Sequence, residues 1–444
     1  MADKTTLQST KLRSKKPNWS ELPVDPCETI LSKLTPKSIL RFKAVCPSWN
    51  KAAESILRSP SFTCAQEPPW LLLPQDGPGH DHSGFRFYSF EGKSYNLNKN
   101  MPEELGHSVC LGSDQSWLLL LVLQNMNNLK LLLFNPLSGT QLLLPPLSTF
   151  PDILRIAYYH DDINMYNDDD SCKIKIEVKI KIMTNPDPTT PPRSFNLVMR
   201  SMKDFKHKIL TKVVLSSRPI RNSNKRSSIG VFVMYRFSIF YPGYFYLAFC
   251  VTADDEWKKL DEQRAYQDIT SYDNQLYALC HGYTSVQVWD FVSSFPVKKL
   301  EIKVDASSIV LQLAGFYSCA FIIKTGVDDL FLVLKFLCYS LMKPDVFHVY
   351  KRDSNDRWMA VESIGNHALV LSVKQSILIS SKDSPEYDQN SIYSPYLLSD
   401  KSPSCSRLGL FSWRNKQVKE VCGGKLAPET PQIFFVPNPF SHIR

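Results

Sequence analysis

Leu22-Pro23-Val24-Asp25, Ile30-Leu31-Ser32-Lys33-Leu34, Pro36-Lys37-Ser38-Ile39-Leu40-Arg41-Phe42, Val45-Cys46 and Trp49 decide how the N-terminal region folds. Their apolar members recur at helical spacing, broken twice by proline. Asp25 reads as the N-cap of a first helix, with Pro26 at the first helical position and Glu28 three residues after the cap. A cap carboxylate accepts an orphan N–H, proline loses no bond at that position, and glutamate suits the positive end of the dipole. Cys27, Ile30, Leu31 and Leu34 supply the apolar stripe. Thr35-Pro36 repeats the device ahead of Ile39, Leu40, Phe42 and Val45. A third helix opens near Pro47, carries Trp49, Ala52, Ala53 and Ile56, and ends before Ser59-Pro60. Three helices of about ten residues enclose too small a core to stand alone. The unit is expected to rest on something larger, with Trp49 and Leu40 as candidates for internal packing.

From Trp70 onward the period changes from helical to two. Strand-like runs include Trp117–Leu123, Leu129–Phe134, Lys173–Met183, Ile229–Met234, Ile269–Leu279, Val286–Phe291, Phe331–Phe336, Val346–Lys351, Ala368–Val373 and Leu408–Trp413. Asn-Pro, Asp-Asn, Ser-Gly and Gly-Gly turns separate them. No helix of three turns is expected beyond residue 62. A unit of two short strands about a polar turn recurs at Leu129–Pro145, Gln275–Asp290, Val346–Leu371 and Leu408–Val421. That repetition favours a β-propeller over a pair of sandwiches. At about 45–60 residues per blade, residues 70–440 would make roughly six to eight blades. Val286-Gln287-Val288-Trp289-Asp290 carries one Trp-Asp pair without the Gly-His partner, so a standard WD array is not supported.

The chain has 444 residues, a net charge of +9, and 30 Pro against 16 Gly. At 43% hydrophobic residues and 12% aromatics it can bury a sizeable core and is not a disordered polymer. Its longest apolar stretch, near Leu330–Met342, is interrupted by Lys335 and falls short of the ~18 residues of a membrane span. The N-terminus lacks an apolar signal core. Eleven cysteines form no C-x-x-C pair, the nearest two being Cys405 and Cys422, which points to small core residues in a reducing compartment. The charge is uneven. Residues 1–60 carry 11 Lys/Arg against 5 Asp/Glu, and residues 173–226 carry 14 against 3. Six Asp from Asp152 to Asp170 directly precede the second block.

The N-terminal pattern resembles the plant form of the F-box over residues 18–62. Two departures are Pro26-Cys27, where the family has large aliphatics, and Pro47, where it often has a base. The resemblance implies a Skp-type adaptor as partner and, through it, a cullin. Carried over by position, Leu22, Pro23, Ile30, Leu31, Leu34, Val45, Cys46 and Trp49 would make or support that contact. The lost aliphatic area at Pro26-Cys27 would weaken it by about a kcal/mol. The basic module suits an acidic adaptor through steering. Further on, Asn135–Gly139, Phe347–Lys351 with Arg357-Trp358, Ser363–Leu369, Asn390–Tyr393 and Pro431–Pro437 are similar to the KIB-type β-propeller, which follows the F-box in many plant proteins. The expected architecture is a small all-α F-box followed by an all-β propeller. It comprises a disordered basic tail (1–17), the F-box (18–62), a linker (63–69) and the propeller (70–440), with a charged insertion near 152–226. The resemblance implies a substrate receptor of a Skp–cullin–F-box ubiquitin ligase, located in the nucleus or cytoplasm. Its propeller would recruit an unknown protein target for ubiquitination, with Tyr283, Trp289, Tyr339 and Trp358 as candidate contacts.

Lys173–Met183 alternates strictly, with Lys173, Lys175, Glu177, Lys179 and Lys181 on one face and Ile174, Ile176, Val178, Ile180 and Ile182 on the other. The plain explanation is an edge strand protected by lysines. The alternative adds Arg218, Arg221, Lys225 and Arg226 to make a patch for nucleic acid or an acidic partner, although aromatic interleaving is poor. His80-Asp81-His82 lacks a third metal ligand and reads as a polar turn. Lys11–Lys16 reads as a solvated tail or an import signal. No phosphate-binding loop, dinucleotide fingerprint, zinc-protease motif or nucleophile elbow is present, so no catalytic residue, metal or cofactor is expected.

Overall fold

The computed structural model describes residues 19–57, 59, 62, 65, 67–73, 85–96, 102–105, 108–124, 128–159, 173–182, 193–199, 210–216, 220–221, 227–236, 245–252, 254–261, 264–291, 295–304, 317–337, 346–397, 406–413, 417–421 and 433–438. Two compact units divide between Glu67 and Pro68. The N-terminal tail, His80–His82 and Tyr339 lie outside the described residues.

The first unit holds helices α1 (Val24–Lys33), α2 (Pro36–Lys43) and α3 (Pro47–Leu57) after a 3-10 turn at Trp19–Glu21. α1 starts earlier than the capping residues suggest: Pro23 is its N-cap, so Asp25 lies inside the first turn and caps nothing. The first helical bond runs from Cys27 N–H to Pro23 O at 3.4 Å. Pro26 therefore occupies one of the positions whose N–H would be unpaired anyway, and α1 begins without strain. Thr35 and Pro36 open α2 as expected. Cys27 and Leu31 of α1, Ile39 and Phe42 of α2, and Ala53 and Ile56 of α3 form the small core. The chain after α3 folds back on this unit, with Ala65 N–H on Leu34 O at 3.1 Å and Glu67 accepting the Lys37 backbone N–H at 3.0 Å.

The second unit is a ring of six sheets, the lower end of the expected range. Blade 1 joins Trp70–Leu72, Arg86–Tyr88 and Ser94–Asn96 to Ile433–Phe435 from the far end of the chain. Blade 2 spans Val109–Asp114 to Gln141–Leu143, blade 3 Leu210–Leu215 to Lys258–Lys259, blade 4 Tyr266–Tyr272 to Val297–Lys303, and blade 5 Tyr317–Lys324 to Trp358–Ala360. Blade 6 has five strands between His367 and Glu420, one pair of them parallel. The run Ile269–Leu279, expected as one strand, is two strands folded at Asp273-Asn274, both with positive φ. Among the described residues only 3-10 turns interrupt the strands, and no helix is long and apolar enough to cross a membrane.

Two-residue alternation builds the ring. In the second strand of blade 2, Trp117, Leu119 and Leu121 enter the cluster shared with blade 3. Leu118, Leu120 and Val122 enter the cluster shared with blade 1. A strand sandwiched between two blades is apolar on both faces, which is why such runs read as continuous hydrophobic blocks. Six clusters follow one another round the ring, and the last closes it by packing Ala368, Val370 and Tyr393 of blade 6 on Leu71 and Phe434 of blade 1.

The innermost strands of blades 2, 3 and 4 share a device. Each shifts register by one residue, at Cys110/Gly112, Leu210/Lys212 and Tyr266/Asp268. The residue after each shift is Gly112, Lys212 or Asp268. A Cβ on Gly112 would lie 3.2 Å from Cγ1 of Val213, so glycine sits where blades 2 and 3 approach most closely.

The charged segment 152–226 is not a blade. Ile153–Tyr159, Lys173–Ile182 and Arg193–Met199 form a separate three-stranded sheet between blades 2 and 3. Those blades pack directly on each other without it. Lys173–Ile182 is the central strand of this sheet and not an edge, since both neighbours pair with it. Alternation reveals faces, but whether one edge or both are paired is not written in it. Of the residues added to the basic patch, Arg218, Lys225 and Arg226 lie outside the described residues. The inserted sheet joins the start of the inner strand Leu210–Leu215, and the ribbon Ile220–Arg221 with Ser227–Ser228 follows its end. Six residues of strand, about 20 Å, separate the two attachments.

Candidate functional site

The candidate contact residues of the helical unit divide by exposure. Leu31 is fully buried and belongs to the helix core. Leu22, Leu34, Cys46 and Trp49 are half-buried, and Pro23 is exposed. Ile30 is 38% exposed and Val45 59%. Trp49 stacks on Phe42 with centroids 4.4 Å apart. Its Nε1 donates to Trp19 O at 2.8 Å, which ties the N-terminal turn to α3. These two contacts tie it into the packing of the helical unit. Leu40, a candidate for internal packing, turns outward at 51% exposure. Sequence reasoning also passed over Trp19 and Val24, both exposed. The signal available for Leu40 was its place off the buried stripe, beside buried Ile39 without sharing its face.

Cys27, the departure from the family pattern, faces inward and has no solvent exposure. Burial, with Cys46 nearby, pushes its thiol above the usual range, so it remains a neutral core residue. Its small size therefore bears on the packing of α1.

The propeller's candidate contacts are mostly structural. Trp289 is buried in the cluster between blades 3 and 4. Tyr283, at positive φ, and Trp358 pack against the cluster between blades 4 and 5. Trp358 Nε1 donates to Lys303 O at 3.1 Å, joining the rims of those blades. The motif segments act as latches. Asn135 Oδ1 accepts from the backbone N–H of Leu137 and Ser138, shaping its turn, while Nδ2 donates to Asn438 O at 3.0 Å. Asn390 Oδ1 accepts the Ile364 N–H at 2.9 Å and the Ser363 hydroxyl at 3.1 Å.

Carboxylates tie the inner strands. Asp114 of blade 2 accepts the Leu215 N–H of blade 3 at 2.8 Å. Burial pushes its carboxyl up to about 6, against the opposing pull of that N–H and of Lys212. Asp268 of blade 4 accepts the Ile322 N–H of blade 5 at 2.8 Å and the Lys212 ammonium of blade 3 at 2.7 Å. Lys212 also lies 3.5 Å from Ser376 Oγ on the inner strand of blade 6, opposite in the ring. This side chain therefore crosses the axis of the propeller. Among the described residues no cluster of His, Cys, Asp or Glu could hold a metal ion.

The family model for the KIB1-4 beta-propeller matches residues 87–416, about three quarters of the chain, and the F-box domain model matches residues 19–58. The chain belongs to the KIB1-4 beta-propeller family. Similar proteins include a probable F-box protein of Arabidopsis thaliana, 23% identical over 399 residues, covering 85% of this chain and 83% of the relative. An F-box/kelch-repeat protein of the same plant is 29% identical over 125 residues, 28% of this chain and 31% of the relative. Among solved structures, a puromycin hydrolase aligns with 83% of this chain and 55% of its own at 10% identity, with a TM-score of 0.27. At that score the likeness carries nothing about this KIB1-4 propeller.

Proposed function

We propose that this chain is the substrate-recognition subunit of a Skp–cullin–F-box ubiquitin ligase, acting in the nucleus or cytoplasm. The F-box would hold a Skp-type adaptor and through it a cullin, while the propeller holds a target protein. One observation carries the proposal. Within residues 19–45 five large apolar side chains stand exposed, Trp19, Val24, Ile30, Leu40 and Val45, whereas the propeller exposes eight such side chains over its much longer described length. Exposed apolar density of this kind marks a surface that another protein covers. The chain would contribute no reacting group. It would raise the effective concentration of a target lysine beside a charged ubiquitin-conjugating enzyme.

Co-expression with a Skp-type adaptor and a cullin tests this. The three proteins are expected to co-elute, and a chain with Leu22, Pro23 and Ile30 all replaced by polar residues is expected to elute alone. Co-elution that survives the triple replacement would refute the assignment of the surface.

A further inference from the structure

We propose that the outer strand of blade 4, Val297–Lys303, is a docking edge for an extended segment of a partner protein in which apolar and acidic residues alternate, added to the blade as a further strand. This rests on the receptor function proposed above and names the chemistry of what is received. The outermost strands of the other blades have two to four residues, whereas this one has seven. It pairs with Ser285–Asp290 on its inner side, and among the described residues no strand pairs with its outer side. Val297 to Glu301 are all exposed, so neither face of that stretch is covered. Of the eight exposed large apolar side chains of the propeller, Phe295, Val297 and Leu300 fall within six residues here. An edge that is only guarded has no use for them, because such edges are short or carry charge in place of apolar side chains.

Register orients the backbone and sorts the side chains. Val304 N–H donates to Thr284 O at 2.9 Å. Hydrogen-bonded pairs alternate with open ones in an antiparallel ladder, so Ile302 bonds inward to Val286, whereas Glu301 opposite Gln287 does not. The N–H and C=O of Glu301 and Lys303 therefore point away from the blade. The Lys303 carbonyl accepts from the Trp358 indole there, which marks one end of the open edge. At Val288/Trp289 the register shifts by one residue, with Lys299 as the extra residue. Opposed residues of an antiparallel pair lie on the same face. Val297, Leu300 and Ile302, opposite Asp290, Val288 and Val286, therefore share one face. Lys298, Glu301 and Lys303, opposite Trp289, Gln287 and Ser285, share the other. The shift thus brings Lys298 onto the face of Glu301, and the two pair.

The edge is therefore amphipathic. Its apolar face runs outward from Ile302, which is buried in the cluster between blades 4 and 5. Its charged face holds Lys298 and Lys303 around Glu301, with Arg264 pairing to Glu301 at 3.0 Å. Lys299 pairs with Asp290 at 3.5 Å. Three lysines and Arg264 against Glu301 and Asp290 leave an excess of positive charge along about 23 Å of strand. An added strand with apolar residues at every second position, and Glu or Asp between them, meets both faces at once. Its backbone bonds supply affinity and its alternate side chains specificity. A second copy of the same strand fits less well, because pairing would double the cationic excess.

The test uses the full chain at about 0.15 M salt, with labelled Glu-Val and Lys-Val alternating peptides of about ten residues as probes. The Glu-Val peptide is expected to bind at least about tenfold more tightly than the Lys-Val peptide. Glu301→Gln and Glu301→Pro remove the same charge, but only proline also removes the outward N–H, which the ladder of the blade does not use. Glu301→Gln is expected to bind the Glu-Val peptide at least as tightly as the parent, and Glu301→Pro at least about tenfold more weakly. Lys298→Glu with Lys299→Glu leaves the backbone intact and is expected to lose about tenfold or more. Circular dichroism and melting temperature qualify each variant, and if Glu301→Pro fails to fold, the lysine variant and the two peptides decide. Equal binding of the two peptides, equal binding by folded Pro and Gln variants, or unchanged binding in the lysine variant would each overturn the proposal. Sedimentation velocity showing a parent dimer that Glu301→Pro converts to monomer would give the edge to a second copy and overturn it as well. Adaptor capture is read on the same samples. Loss of peptide binding with capture retained assigns the effect to the edge, whereas failure of the parent chain to capture any adaptor overturns the receptor function itself.

Discussion

Lys212 and Asp268 form an ion pair with side chains only 4% and 5% exposed. Removing one partner from such a pair leaves a buried charge, whereas removing both charges together can be nearly neutral. Lys212→Ala is therefore expected to destabilise the propeller by about 3–5 kcal/mol. Lys212→Met with Asp268→Asn, which keeps an acceptor for Ile322 N–H, is expected to recover most of it. Denaturant unfolding of the three variants checks this. Asp114 gives a pH dependence. Its folded-state pKa of about 6 exceeds the ordinary Asp value. The folded chain therefore holds this proton where the unfolded chain has released it, and stability falls as pH rises from about 4 to about 6. Asp114→Asn removes that loss while keeping an acceptor for Leu215 N–H. The variant is expected to exceed the parent by about 3 kcal/mol at pH 7.5 and to match it near pH 4. Thermal unfolding at the two pH values measures the difference. Neither carboxylate stood out in the sequence, because a buried Asp and a turn Asp are written with the same letter. Only the ring brings Asp114 to Leu215, about a hundred residues on.

At the scale of elements, the three helices were legible because proline and apolar spacing agree near each start. The error at Asp25 came from choosing the residue with the best capping side chain, where the chain begins its helix on Pro23 O with no side-chain cap. Middle strands were legible for the opposite reason, as unbroken apolar runs held between two blades. Inner strands such as Val109–Asp114 and Leu210–Leu215 escaped because Gly112, Ser113 and Lys212 break the pattern where the register shifts. The inserted sheet was legible as a charged insertion, but not as a sheet with two paired edges. Because the ring closes without it, replacing residues 157–207 by a short Gly/Ser linker is expected to leave one cooperative unfolding transition. The midpoint should fall by only a few degrees, which differential scanning calorimetry would record. A split transition or an unfolded product would mean that the sheet is part of the ring.

At the scale of the whole molecule, the chain divides into two compact units. The ring depends on its ends: Ile433–Phe435 is the inner strand of blade 1, paired with Trp70–Leu72. Truncation before residue 433 is expected to open the ring and expose the cluster of Leu71, Phe434 and Ala368. Rapid proteolysis of the truncated chain beside a resistant parent would report it. The helical unit depends on its surface. The resemblance of residues 18–62 implies an adaptor-binding surface, and exposure divides the residues there: Leu31 is buried, whereas Trp19, Val24 and Leu40 are exposed. Spacing alone could not do this, since a short amphipathic helix shows which face is apolar and not which partner covers it.

Titration of a Skp-type adaptor into the full chain bears most directly on the central claim, using the parent and an Ile30→Asp, Val45→Asp double variant. Both side chains are exposed, so the variant is expected to keep the parent's circular dichroism and melting temperature. Burying two aliphatics of this size contributes about 3–6 kcal/mol, so affinity is expected to fall at least about 100-fold. A folded variant that binds the adaptor as tightly as the parent would contradict the account.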